Sequence, residues 1–217
     1  MYAVIINGSP RVKAQSNTDK IIGSFSKGFC EGGNTCDVYA ISERNKWDEI
    51  RKAYNENENI IIALPLFVEC IPGLLIEFIE TLEPKDKKTT LSFILQSGFT
   101  EGIQLRCGEA YLEILTEKLG CSYGGTLVKG GNFMFRFREG KELERAIAPY
   151  GRMGREFAAN GNFFSKKCKR FTGPEIYPKP MLKIVDRVIH KGGRESFDRA
   201  AAGWGCTEPL DSRPYEN

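Results

Sequence analysis

Short β-branched and aliphatic runs alternate with amphipathic stretches along most of this chain. Residues 2–6 read as a first strand, and a turn-rich loop, residues 7–15, comes next. Ser16-Asn17-Thr18 then offers a helix cap, after which Ile21, Ile22, Phe25 and Phe29 share one face at helical spacing. Gly32-Gly33 ends that helix. Residues 36–41 predict a second strand. A polar helix over residues 43–54 turns Trp47, Ile50 and Tyr54 inward. Residues 60–64 form the most apolar run, expected as a central strand buried on both faces and stopped by Pro65. Pro72-Gly73 opens a helix with Leu74, Leu75, Phe78, Ile79 and Leu82 inward. Residues 89–95 read as strand four, 97–102 as a loop, and 103–119 as a helix burying Leu105, Leu112, Leu115 and Leu119. A fifth strand is expected at residues 122–128, and a last core helix over 142–160, bent or restarted at Pro149.

Strands and helices therefore alternate five times, which predicts a parallel sheet covered by helices on both faces. Five strands suit an α/β doubly wound sheet in the flavodoxin-like order 2-1-3-4-5. From about Gly161 the pattern changes: Pro, Gly and Lys become frequent, and one helix, residues 181–190, stands out. The chain reads as a single domain, with a core over about 1–160 and a C-terminal helical appendage over about 161–217.

Length agrees with this picture, because 217 residues suffice for one well-buried core. No apolar run approaches the roughly 20 residues of a membrane-spanning helix. The chain opens on a strand-like run without a basic n-region or cleavage site, which leads us to expect a cytoplasmic protein and no membrane partner. A net charge of +3 is too mild to indicate nucleic acid, and the basic run 166–170 reads as a solvated face. The seven cysteines are odd in number, show no close pairing and contain no CxxC, so most are expected as small buried apolar residues. The one histidine, His190, cannot anchor a His-rich metal site, and no metal is expected.

In open α/β sheets ligands sit beyond the carboxyl ends of the strands, near the switch in strand order. Here that means the loops after strands 1, 3 and 4. The first, Asn7-Gly8-Ser9-Pro10-Arg11 through Ser16-Asn17-Thr18, combines a glycine turn, hydroxyls and one fixed positive charge at a helix start. Free amides and the helix dipole favour an anion there, while neither a GK[ST] ending nor a GxGxxG is present. A mononucleotide phosphate and a simple helix cap both fit this loop. The second loop, residues 65–73, leaves a buried strand yet stays apolar, as a wall for a flat aromatic ligand does, or a loop tucked under the appendage. The third, residues 96–102, holds small residues and Phe99. Gly98 would permit close backbone approach, although an ordinary strand–helix turn reads the same way.

Together, "INGSPR" with "SNT", "ALPLFVECIPGLL" and "LQSGFTEG" resemble the NADPH-dependent FMN reductase branch of the flavodoxin-like flavoproteins, over roughly residues 1–131. The resemblance implies that Ser9, Arg11, Ser16, Asn17 and Thr18 hold the FMN phosphate. It implies that Pro65, Leu66, Phe67 and Val68 lie against the isoalloxazine, with Ser97, Gly98 and Phe99 closing its other side. NADPH or NADH is then the expected hydride donor. A quinone, flavin, nitro- or azo-aromatic or metal ion is the expected small acceptor, and a homodimer the expected assembly. Phe67 stands where the family commonly has Tyr, and Ile76 where Lys is frequent, so substrate choice stays open. The compact cysteine cluster of the iron–sulfur relatives is missing. Glu69, Glu101, Tyr111 and Tyr123 fall in or near the flavin-side loops but read as solvated or packing residues. No catalytic side chain is assigned, because the flavin carries the redox chemistry. Two other readings are a flavodoxin-type electron carrier, which the positive charge disfavours, and a phosphate-binding module without flavin.

Overall fold

The structure is a computed structural model that describes residues 1–188, 193–203, 205–209, 211–213 and 215. His190 and the end of the helix expected over 181–190 lie outside the described residues. Five parallel strands, β1 (Tyr2–Asn7), β2 (Thr35–Ala40), β3 (Asn59–Pro65), β4 (Thr90–Gln96) and β5 (Ser122–Lys129), form one sheet in the order β2-β1-β3-β4-β5. Helices α1 (Asn17–Cys30), α2 (Trp47–Glu56), α3 (Gly73–Ile79), α4 (Arg106–Lys118) and α5 (Gly140–Asn160) connect and extend them.

The period-two geometry of the strands splits the core cleanly. Val4, Ile6, Ile60, Ile62, Leu64, Phe93 and Leu95 face α2, α3 and α4. Their neighbours Ala3, Ile5, Ile61, Ala63, Ile94 and Leu127 face α1 and α5. The central strands are thus apolar on both sides, as their near-continuous hydrophobic runs require. Pro65 does not stop β3 short. It is the last paired residue, opposite Gln96.

Helices α1 and α5 pack closely because glycines line their crossing. A Cβ on Gly28 would lie 1.9 Å from the Gly151 carbonyl oxygen, and one on Gly154 would lie 2.1 Å from that of Phe25. Pro149 sits inside α5 without restarting it; the helix is continuous over Gly140–Asn160. Proline forgoes one intrahelical hydrogen bond, and the buried face formed by Tyr150, Met153 and Phe157 holds the turn in register.

On β5 the register skips between Leu91 and Phe93, leaving Gly124 and Gly125 opposite Ser92 alone. The Phe163 amide bonds the Gly124 carbonyl at 2.8 Å, so the returning chain covers this edge. Helix α6 (Lys166–Phe171) comes next, its lysines exposed and Cys168 buried. The compact unit ends at Glu175, whose carboxylate pairs with Arg106 of α4. A second compact unit, residues 176–217, contains α7 (Lys179–Val188) and α8 (Arg194–Gly203).

The expectation of mostly buried cysteines is corrected: only Cys121 and Cys168 are buried. Cys36 is intermediate, and Cys30, Cys70, Cys107 and Cys206 are exposed, because they fall at helix ends, loops and polar faces. No helix among the described residues is long and apolar enough to cross a membrane. Among the same residues no three His, Cys, Asp or Glu side chains gather as metal ligands.

Candidate ligand site at the carboxyl ends of the strands

The first loop leaves β1 through Asn7, which is fully buried and organises the turn after it. Its Oδ1 accepts the Ser9 amide at 3.0 Å, and its Nδ2 donates to Asp19 Oδ1 at 3.4 Å. Ser9 is buried, and its Oγ accepts the Arg11 amide at 3.3 Å. The Arg11 side chain is exposed and has no carboxylate partner among the described residues. Ser16 caps α1, its Oγ accepting the Asp19 amide at 3.2 Å. This leaves the amides of Asn17 and Thr18 without an intrahelical partner at the positive end of a fourteen-residue helix. Asn17 donates through Nδ2 to the Asn132 carbonyl at 2.9 Å, while its Oδ1 is buried without a partner. Thr18 is buried, and its Oγ1 accepts Gln96 Nε2 at 3.2 Å. Burial raises the Asp19 carboxyl above the usual carboxylate range; the Asn7 hydrogen bond and Lys13 act in the opposite sense.

The second loop begins with Pro65 and the buried Leu66, whose amide donates to the Gln96 carbonyl at 2.7 Å. Phe67 and Cys70 then exchange two backbone hydrogen bonds of 2.9 and 3.0 Å, closing a two-residue turn. Both central residues have positive φ, 48° at Val68 and 66° at Glu69. A β-branched residue in that region is a steric outlier. The turn presents Phe67 and Val68 to solvent, 43% and 74% exposed.

The third loop is stitched to the segment after β5. Ser97 donates its amide to the Lys129 carbonyl at 3.3 Å and its carbonyl accepts the Asn132 amide at 3.0 Å. Its Oγ accepts the Phe99 amide at 3.1 Å. The Gly131 amide reaches the Phe99 carbonyl at 2.7 Å. The demanding glycine here is Gly130, where a Cβ would lie 2.1 Å from the Phe99 carbonyl oxygen. A Cβ on Gly98 would meet Phe133 at an ordinary 3.5 Å, so the protein itself does not require glycine at 98.

Hydrogen bonds that Gln96 and Asn132 donate and accept therefore bring the first, third and second loops to one end of the sheet. Arg11 and Phe67 lie in these loops with their side chains in solvent. Sequence reasoning missed a fourth segment, residues 130–137. It supplies Asn132, which also bonds the Tyr150 hydroxyl at 2.8 Å, and a 3-10 turn, Phe133–Phe137. Arg136 lies over the Phe133 and Phe137 rings, at 5.9 and 5.0 Å to their centroids. The signal was present as Gly130-Gly131-Asn132 leading into an aromatic run straight after a strand. Among the acid–base candidates, Tyr123 sits near the start of β5 bonded to Thr126 Oγ1 at 2.6 Å, away from these loops, and Tyr111 is exposed on α4.

No protein-family model matches the chain, and no curated protein matches it. Solved structures do. Azoreductase AzrA superposes with a TM-score of 0.54 at 12% identity, over 73% of this chain and 99% of its own. The fold is flavodoxin-like. An azoreductase from Bacillus anthracis str. Sterne gives 0.53 at 13% identity, over 73% of this chain and 98% of its own. An NADH:FMN oxidoreductase, EMOB, in its apo form gives 0.53 at 14% identity, over 83% and 98%.

Proposed function

We propose that this chain is an FMN-dependent oxidoreductase that takes hydride from NADPH or NADH and delivers it to a small acceptor. The observation that carries the reading is the start of α1. Two unpartnered first-turn amides lie beside a buried, unpartnered Asn17 Oδ1. That set asks for a ligand offering both anionic oxygens and a hydroxyl donor, as a ribityl phosphate does. Ser9, Ser16 and Thr18 of the same loop and helix start carry hydroxyls that accept one hydrogen bond each and still have a proton to give, and Arg11 supplies unneutralised positive charge. Pro65, Leu66, Phe67 and Val68 on one side, with Ser97, Gly98 and Phe99 on the other, suit a flat apolar ring. The names of the structural neighbours, two azoreductases and an NADH:FMN oxidoreductase, support the same chemistry.

When bound, FMN supplies hydride acceptance and donation; the protein supplies position and electrostatics. The α1 amides and hydroxyls hold the phosphate end. The Phe67–Cys70 turn and the 97–99 segment hold and shield the ring. A homodimer is part of the proposal, since Phe67, Val68 and Phe99 leave apolar surface on the rim for a second copy to cover.

The test is an absorbance titration of the purified full chain with FMN, then anaerobic addition of NADPH or NADH, then of a quinone. We expect a saturable flavin spectrum, bleaching by the nicotinamide and recovery with the quinone. A chain that shows no affinity for FMN is not this enzyme. Bleaching without turnover of any acceptor would favour an electron carrier instead. Light scattering that reports a monomer with full turnover would remove the dimer from the proposal.

A further inference from the structure

The sulfur atoms of Cys30 and Cys36 lie 3.8 Å apart. Cys30 ends α1 and is exposed, whereas Cys36, near the start of β2, is half-buried. The β1–β2 register sets Cys36 opposite Ala3 and turns it toward the α1 face of the sheet. Between them the chain reverses tightly. The Gly33 amide returns to the Cys30 carbonyl at 3.1 Å, with Gly33 at φ 80°.

We propose that Cys30 and Cys36 are a modification site, a thiol pair that a low-molecular-weight disulfide of the glutathione type oxidises to an intramolecular disulfide. Bonded sulfurs stand about 2.0 Å apart, so closure requires an approach of about 1.8 Å. Side-chain rotation at the exposed Cys30 and adjustment of the Gly32-Gly33 turn accommodate it, since a Cβ on Gly33 would meet nothing within 4 Å. The exposed Cys30 reacts first. Its thiolate attacks the small disulfide RSSR, forms Cys30–S–S–R and releases RS⁻, which takes up the proton Cys30 lost. Cys36 then gives up its proton and attacks the Cys30 sulfur, which expels the second RS⁻ to be protonated in turn. Two protein thiols lose two electrons, and one RSSR becomes two RSH. Burial above all pushes the Cys36 thiol up to about 11, so the second step draws on its small thiolate fraction and speeds as pH rises. The pair sits at the amino end of the sheet, opposite the loops that α1 starts from, so it stands independently of the proposed flavin chemistry.

The experiment incubates the full chain with oxidised glutathione at mildly alkaline pH, then blocks free thiols and digests with trypsin. Residues 28–44 form one tryptic peptide holding both cysteines and no others. We expect it to lose about 2 Da relative to the reduced peptide and to regain them with dithiothreitol. In Cys36→Ser the same treatment should leave a stable glutathione adduct on Cys30. The exposed Cys70 and Cys107 report general oxidant reactivity in the same digest. A wild-type peptide that keeps both thiols free while Cys70 and Cys107 react, or holds glutathione singly, or joins another peptide, overturns the proposal.

Discussion

At Val68 a β-branched side chain occupies φ 48°, where a left-handed backbone costs an L-residue about 1–2 kcal/mol. Strain of this kind persists where the surroundings enforce it, and it concentrates at binding loops. Glycine would remove the strain but adds back about 0.5–1 kcal/mol of chain entropy. Val68→Gly should therefore raise stability by about 0.5–1 kcal/mol, read as a higher urea midpoint at unchanged slope. If the turn is shaped for the ring of FMN, the same variant should bind FMN more weakly despite being more stable.

Two hydroxyls at the start of α1 have structural duties that complicate their proposed role. Ser16 is the helix cap, and Thr18 accepts the buried Gln96 amide. Ser16→Ala should lower stability by about 0.5–2 kcal/mol as any lost cap does. A hydrogen bond to a charged group contributes about 1.5–3 kcal/mol, so either Ser16→Ala or Thr18→Val should weaken FMN binding roughly 10- to 150-fold. Riboflavin, lacking the phosphate, should be almost unaffected. Equal losses for the two flavins would leave these residues with their structural duties alone.

Helix α1 carries two glycines with opposite meanings. Gly23 is exposed, and a Cβ there meets nothing within 4 Å, whereas at Gly28 it collides with the backbone of Gly151. Gly23→Ala should stabilise by about 0.5–1 kcal/mol, and Gly28→Ala should destabilise by about 2 kcal/mol or more. Denaturant melts of the two variants, made in one helix with one chemical change, check both signs. The same helix holds Asp19, whose raised carboxyl sets a pH dependence. A carboxyl with its folded pKa raised favours the fold at low pH, and that contribution is lost as pH rises through the folded value. Asp19→Asn should therefore gain stability relative to wild type as pH rises above about 4, a difference visible in parallel urea melts.

The strands and the first four helices were legible because each has a strong period and a clear stop. Ile60 to Leu64 can only be a doubly buried strand, and Ile21, Ile22, Phe25 and Phe29 can only be one helix face. Whether α5 would restart at Pro149 was not legible. Local propensity allowed a bend or a restart, and packing of Tyr150, Met153 and Phe157 keeps one continuous helix. The segment after β5 was not recognisable as part of the candidate site because its place there depends on hydrogen bonds to Ser97 and Asn17, far away in sequence.

On the scale of the whole molecule, both core clusters draw on residues before Glu175, and the Arg106–Glu175 pair closes that unit. A chain ending at Glu175 should therefore unfold in one cooperative transition with the far-UV signature of an α/β protein. Loss of cooperativity on truncation would show that residues 176–217 are needed to complete the fold.

By itself the sequence determined the α/β class, the strand order and the three loops at the carboxyl end of the sheet. Periodicity and connection rules are local, and they act on every residue. Tertiary structure alone decided that Gln96 and Asn132 tie those loops together and that Arg136 lies over two phenylalanines. It alone put Cys30 within reach of Cys36. Such contacts join positions whose neighbours in the chain give no sign of one another; they exist only once the sheet register and the helix packing have fixed where each backbone runs.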